Sequence, residues 1–185
     1  MKTIIKYTRR KTEDTLYVQY LLHIGFSKSL IADILLKHYV KPFGIRSIAK
    51  AEKEIVGARA CRIYQWPTRP SAKNPGNLIK SQNHLLEFSL YGSALLYLYG
   101  DRIYEHLSIE EIINAYDLYT NIRIHRHPSL TQLTPDTAYW IVRELSSHCA
   151  FLRYCPQCCL YYYESSNQYI VDGCPFGCAK NLSHF

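Results

Sequence analysis

Five of the seven cysteines fall within residues 154–180, in the stretch YCPQCCLYYYESSNQYIVDGCPFGCAK. Few structures accommodate such a run. Cys155 and Cys158 form a C-x2-C pair, Cys174 and Cys178 a C-x3-C pair, and fifteen residues separate the two. Zinc takes four thiolates or imidazoles in a tetrahedron, and two tight turns can supply them. Proline follows the first cysteine of each pair and Gly177 precedes the last. The spacing reads as a small zinc ribbon. Its hairpin would be two β-rich runs about a polar turn at 164–167, with one ion held by Cys155, Cys158, Cys174 and Cys178. Cys159 competes with Cys158 for the second ligand position, and the commoner two-residue spacing favours Cys158. His148, Cys149 and His184 are near enough in sequence to substitute. A redox C-x-x-C would need a βαβ context, which is missing, and a disulfide framework belongs to an oxidising compartment. Four protein ligands leave no open coordination position, so the ion would be structural. A hairpin this small has little core, so metal binding would supply its folding free energy.

The rest of the chain patterns as helix, with the first dozen residues the one stretch that reads as disordered. Leu16, Tyr20, Leu21 and Ile24 share a helical face up to Gly25. Ser27 is an N-cap for a second helix with Leu30, Ile31, Ile34, Leu35 and His38 on one side. Residues 46–54 and 58–66 read as two short helices with Ile55 in the turn. The segment 66–77 holds three prolines and a glycine and reads as a boundary loop. A long apolar helix is expected at about 82–99. Ser108 and Glu111 make a capping box for a helix over 107–120, followed by a loop from Arg123. Thr134 and Pro135 open a last helix. The expected fold is mainly α, divided into 1–68, 69–150 and the ribbon, 151–185.

Charge is lopsided. Sixteen of the 22 Lys and Arg, but only five of the 15 Asp and Glu, lie in the first 80 residues. Such a half faces a polyanion or is a solvated basic surface. Within it, IAKAEKEIVGARACRIYQW has small residues where two helices would cross and basic residues outside, as a helix-turn-helix pair requires. Arg59, Arg62 and Gln65 would stand on the outer face of the second helix, flanked by Arg46, Lys50 and Lys53, and guanidinium groups there can meet phosphates or guanine edges.

Other features read as structure. RIHRHP, residues 123–128, lacks carboxylate partners and reads as a solvated loop. Tyr97, Tyr99, Tyr104, Tyr116 and Tyr119 lie at helical spacing and read as packing or interface residues. No phosphate loop, GxSxG or HExxH is present, which argues against an enzyme. Apolar stretches fall short of the roughly 20 residues a membrane helix needs, and the N-terminus lacks a signal-peptide run. A cytoplasmic protein without a membrane partner is expected.

In this order, the features resemble those of the FlhC family, the C subunit of the flagellar master transcription activator. YLLHIG is similar to the family's first helix end. AKAEKEIVGARACRIYQ resembles its arginine-rich segment, with Glu52, Ile55, Arg59, Arg62, Ile63 and Tyr64 on matching positions. AYDLYTNI and TPDTAYWIVREL resemble two later helices through Ala115, Tyr116, Leu118, Tyr119, Ala138, Val142 and Arg143, and the cysteine pairs follow. The second cysteine pair is one residue longer than the family's and the basic tail is shortened to AKNLSHF, marking a divergent member. The resemblance implies a helical fold and a structural zinc on Cys155, Cys158, Cys174 and Cys178. It also implies a hetero-oligomer with a smaller FlhD-like subunit that binds double-stranded promoter DNA and acts on RNA polymerase. Some relatives activate conjugative-transfer genes instead of flagellar ones. The reading from residues alone leaves a second option, a zinc-stabilised protein–protein adaptor that touches no nucleic acid.

Overall fold

Gly25 and Ser27 divide the first two helices. In the computed structural model, which describes residues 2–38, 45–57, 74–169 and 173–178, α1 spans Lys2–Ile24 and α2 spans Lys28–His38. For residues 2–12, 36–38 and 55–57 the description is of backbone alone. Gly25 takes a left-handed φ of 107°. Its N–H reaches the Leu22 carbonyl at 3.1 Å, and the Phe26 N–H reaches that of Leu21 at 3.1 Å. This double closure needs a residue without a Cβ penalty, and glycine supplies it. The Ser27 hydroxyl then accepts from the Leu30 N–H at 3.3 Å and starts α2.

The chain divides into two compact units, Met1–Pro70 and Ser71–Phe185. In the first, α1, α2 and α3 (Ile45–Gly57) pack on one another. Their shared core holds Val18, Leu21, Phe26, Leu30, Ile31, Ile34, Leu35, Ile48 and Ala51. Two details differ from the sequence reading. The stripe of α1 that faces the core runs through Val18 and Leu21, and Leu16 and Tyr20 are exposed. Ile55 does not sit in a turn: α3 continues through it to Gly57. With Glu54 where a helix-ending glycine was wanted, AEKEIV contains nothing to stop a helix. Helix α1 also begins at Lys2, within the stretch expected to be disordered.

In the second unit α4 (Gln82–Tyr99) is the central element, packed by α5 (Ile109–Arg126), a two-stranded sheet and a short 3-10 turn at Gly100–Tyr104; α6 (Pro135–Ser146) packs in turn on α5. The N-cap signals are all formed. Ser81 caps α4, Ser108 and Glu111 close a capping box on α5, and the Thr134 hydroxyl accepts from the Thr137 N–H at 3.1 Å ahead of Pro135. Helix α5 runs one and a half turns beyond its expected end, so Arg123, His125 and Arg126 are helical. The reason is tertiary: Arg123 reaches back to Glu87 on α4 at 3.2 Å and donates to the Leu130 carbonyl, which ties the helix end to the following loop.

Glu87 is buried between α4 and α5, accepting from the Tyr119 hydroxyl as well as Arg123. Burial holds its carboxyl above the usual 4.5, against those two partners. A folded-state value above the unfolded one means that the native chain binds this proton more tightly. The residue's contribution to stability is therefore full at low pH and declines as pH rises from about 4.5 through the folded value. Across that window the wild type is expected to lose stability relative to Glu87→Gln in denaturant midpoints; parallel pH profiles would refute the assignment.

The sheet pairs β1 (Ala150–Tyr154) with β2 (Tyr161–Ser165) antiparallel, Ala150 opposite Ser165 and Tyr154 opposite Tyr161. Ala150, Leu152, Tyr163 and Ser165 face inward and are buried. Leu152 lies against Gly92 of α4, where an added Cβ would come within 2.6 Å of Leu152 Cδ2. Gly92→Ala is expected to cost about 1–2 kcal/mol, because the buried leucine must repack. Shortening it in Gly92→Ala/Leu152→Val should recover part of the loss, as read by urea unfolding. The outward backbone groups of β2 meet side chains: the Tyr163 N–H donates to Ser89 at 3.0 Å, Ser93 donates to the Tyr161 carbonyl at 3.3 Å, and the Ser165 N–H donates to Gln168 at 3.3 Å. On the β1 side the Leu152 N–H donates to the Tyr104 hydroxyl at 3.1 Å.

This hairpin is not the expected one. A pair of strands was expected between the two cysteine pairs; the first β-rich run forms β2, but its partner is the segment before Cys155. The hydrophobic alternation of Ala150 and Leu152 against α4 decides the register. Part of the second β-rich run, 170–172, lies outside the described residues. Among the described residues the protein is mainly helical with this one small sheet, and no helix is long and apolar enough to cross a membrane.

Candidate metal centre

The loop that joins β1 to β2 is itself the first cysteine turn. The Cys155 N–H donates to the Leu160 carbonyl at 2.9 Å, closing the loop, and the Cys159 N–H donates to the Cys155 carbonyl at 2.9 Å. Inside these bonds Cys155 and Cys158 turn the same way, toward Cys174 and Cys178. Gly177 at φ 87° makes the bend that returns Cys178 to the group.

The Sγ atoms of Cys155, Cys158, Cys174 and Cys178 all lie within 4.8 Å of one another, and Cys158 and Cys174 are 3.6 Å apart. All four are free thiols. Sulfurs placed about 2.3 Å from a central ion in a tetrahedron are about 3.8 Å apart, so the cluster has the size that a metal ion needs. Cys155 and Cys174 are buried and the other two half-buried, which shields the position from water. Four sulfur donors without oxygen or nitrogen select soft or borderline ions such as zinc.

The thiols are electrostatically unequal. The Cys158 N–H, with that of Gln157, holds the Cys155 thiol down at about 7 against the effect of burial. The Cys158 thiol pushes Cys178 up to about 12, and burial raises Cys174. One thiolate therefore forms readily and the others are held protonated beside it. A divalent cation among them reverses that balance by favouring all four ionised sulfurs.

The remaining sequence candidates fall elsewhere. Cys159 is exposed and outside the cluster, which leaves Cys158 in the second ligand position. His148 and Cys149 precede β1, at the end of the hairpin away from the cysteine loop. His184 lies outside the described residues. Arg46, Lys50 and Lys53 are exposed on α3, opposite the buried Ile48 and Ala51. Arg59, Arg62 and Gln65 lie outside the described residues. Of the tyrosines, Tyr116 and Tyr119 are buried, whereas Tyr97 is 82% exposed.

One residue important to the site escaped the sequence reading. Glu144, buried on α6, accepts from the hydroxyls of Tyr163 and Ser165, from Asn167 at 2.6 Å and from the Gly76 N–H at 3.3 Å. It thereby anchors the strand that leaves the cysteine loop. The available signal was an acid in an otherwise apolar helical stripe.

No family model matches the chain, and no curated protein matches it.

Proposed function

We propose that this chain is a DNA-binding subunit of a transcription activator, working in a hetero-oligomer with an FlhD-like helical partner on flagellar-type or conjugative-transfer operons. The observation that carries the reading is the exposed stripe of α3. Arg46, Lys50 and Lys53 recur at i, i+4 and i+7, on one side of a helix whose other side is core. The acids of the same helix are engaged elsewhere: Glu52 pairs with Lys28 at 2.5 Å and Glu54 accepts from Gln19 at 3.2 Å. The outward stripe is therefore basic without local neutralisation, which suits a run of phosphates. Arg59, Arg62 and Gln65 would add contacts, and the cysteine cluster would hold one structural zinc.

Replacing Arg46, Lys50 and Lys53 together by alanine tests this. The slope of log affinity against log salt is expected to fall by about 2.7, near 0.9 for each phosphate no longer neutralised. An unchanged slope would remove α3 from the interface. Co-purification of a short helical subunit would establish the partner.

A second reading, the zinc-stabilised adaptor, draws on the exposed aromatic side chains of the second unit. Phe151, Tyr154 and Tyr161 stand out on the hairpin and Tyr97 on α4, and such residues are common in protein interfaces. It predicts no mobility shift of duplex DNA even at low salt.

A further inference from the structure

We propose that Cys159 is an oxidation site that couples the four-thiol cluster to hydroperoxides, so that a disulfide between Cys159 and Cys155 expels the metal. The proposal rests on the reading of the cluster as a metal centre. Five thiols, not four, belong to this region. Cys159 follows a ligand directly but its thiol is outside, exposed to solvent. Its backbone is left-handed, at φ 58°, a conformation that a side chain with a Cβ adopts at a cost and that glycine adopts freely. Strain of this kind, retained at a site, points to a use for the side chain. The bond from the Cys159 N–H to the Cys155 carbonyl folds the two residues into one closed turn, keeping their backbones close. Cys158, the immediate neighbour, would require a distorted eight-membered ring to link to Cys159.

The chemistry balances with one hydroperoxide. The Cys159 thiol attacks the peroxide; the O–O bond breaks, giving the sulfenic acid and one alcohol or water. The Cys155 sulfur, leaving the metal, then attacks the Cys159 sulfur. An S–S bond forms, the S–OH bond breaks, and the oxygen departs as water with one added proton. Two thiols are oxidised by two electrons, which the peroxide accepts. The metal is left with three ligands and dissociates.

The test uses the full zinc-loaded chain and hydrogen peroxide, following released zinc with a chromogenic chelator and mapping disulfides by mass spectrometry. The wild type is expected to release zinc with a Cys155–Cys159 link, and to take it up again after dithiothreitol. Cys159→Ser and Cys159→Gly should bind zinc as well as the wild type but release it about tenfold more slowly, because the exposed entry thiol is gone. Zinc release from both variants at the wild-type rate, or Cys159 remaining a free thiol in the oxidised wild type, would overturn the proposal. Failure of the untreated wild type to hold zinc would instead overturn the reading of the cluster on which it rests.

Discussion

Stripping the metal from the full chain with a strong chelator is expected to free residues 173–178 while the helices and the hairpin stay folded. Structural zinc in small peptides is worth about 10–16 kcal/mol of apparent binding free energy, and those peptides unfold without it. Here that energy falls on one segment. The strands do not depend on the ion: Leu152 and Tyr163 are buried against α4, with Tyr163 packed on Phe88 at a ring distance of 5.4 Å, and Glu144 and Ser89 hold β2. The polar tie between 173–178 and the cysteine loop, by contrast, runs through the cysteine sulfurs. Metal analysis should give about one ion per chain, and loss of it should open new protease cuts near 170–178 with little change in helical circular dichroism. Cys174→Ser should behave as the chelated protein does. Global unfolding on chelation would mean that the ion supports the whole second unit; unchanged protection of the segment would mean that it is held by packing.

Glu144→Ala is expected to be the most destabilising single substitution outside the cysteines. The variant leaves four donors, from Tyr163, Ser165, Asn167 and Gly76, facing a dry gap where a carboxylate was. Removing a buried charged acceptor from a satisfied network costs about 3–5 kcal/mol, which in a unit of this size lowers the Tm by roughly 10–20 °C. Glu144→Gln keeps the shape but turns an NH2 group toward donors, and should lose about half as much. Tyr163→Phe removes one donor and should lose less again, with a double-mutant cycle showing coupling to Glu144. A Tm shift of only a few degrees for Glu144→Ala would show that water takes the place of the carboxylate.

Local chemistry was legible where a residue acts through its own backbone. Gly25, Ser27, Ser108 with Glu111, and Thr134 with Pro135 each announce a helix end, and each forms it. The four cysteines were legible for the same reason: close pairs on tight turns converge with little help from the rest of the chain. What the sequence hid depends on distant partners. Nothing near Arg123 says that α5 continues to it, because the cause is Glu87, 36 residues away. Nothing in YYYES says which strand it pairs with, because the choice is made by the fit of Leu152 to Gly92. The burial of Val18 in place of Leu16 likewise reflects where α2 and α3 lie, since both residues fit an amphipathic helix. Glu144 was passed over because a single acid among apolar residues has no meaning until its four donors converge.

The side chains of Ser89, Ser93 and Gln168 have an effect beyond the sheet they line. A sheet of two strands ordinarily offers open hydrogen-bonding rows to any extended chain that passes, and intermolecular strand addition begins there. Along β2 that row is already spoken for by α4 and the following turn, and Tyr104 blocks the middle of the other. The molecule is thus protected from runaway polymerisation at its most β-rich point, and a partner that docks on the hairpin must do so through the tyrosine and phenylalanine rings on its surface and not by lengthening the ladder.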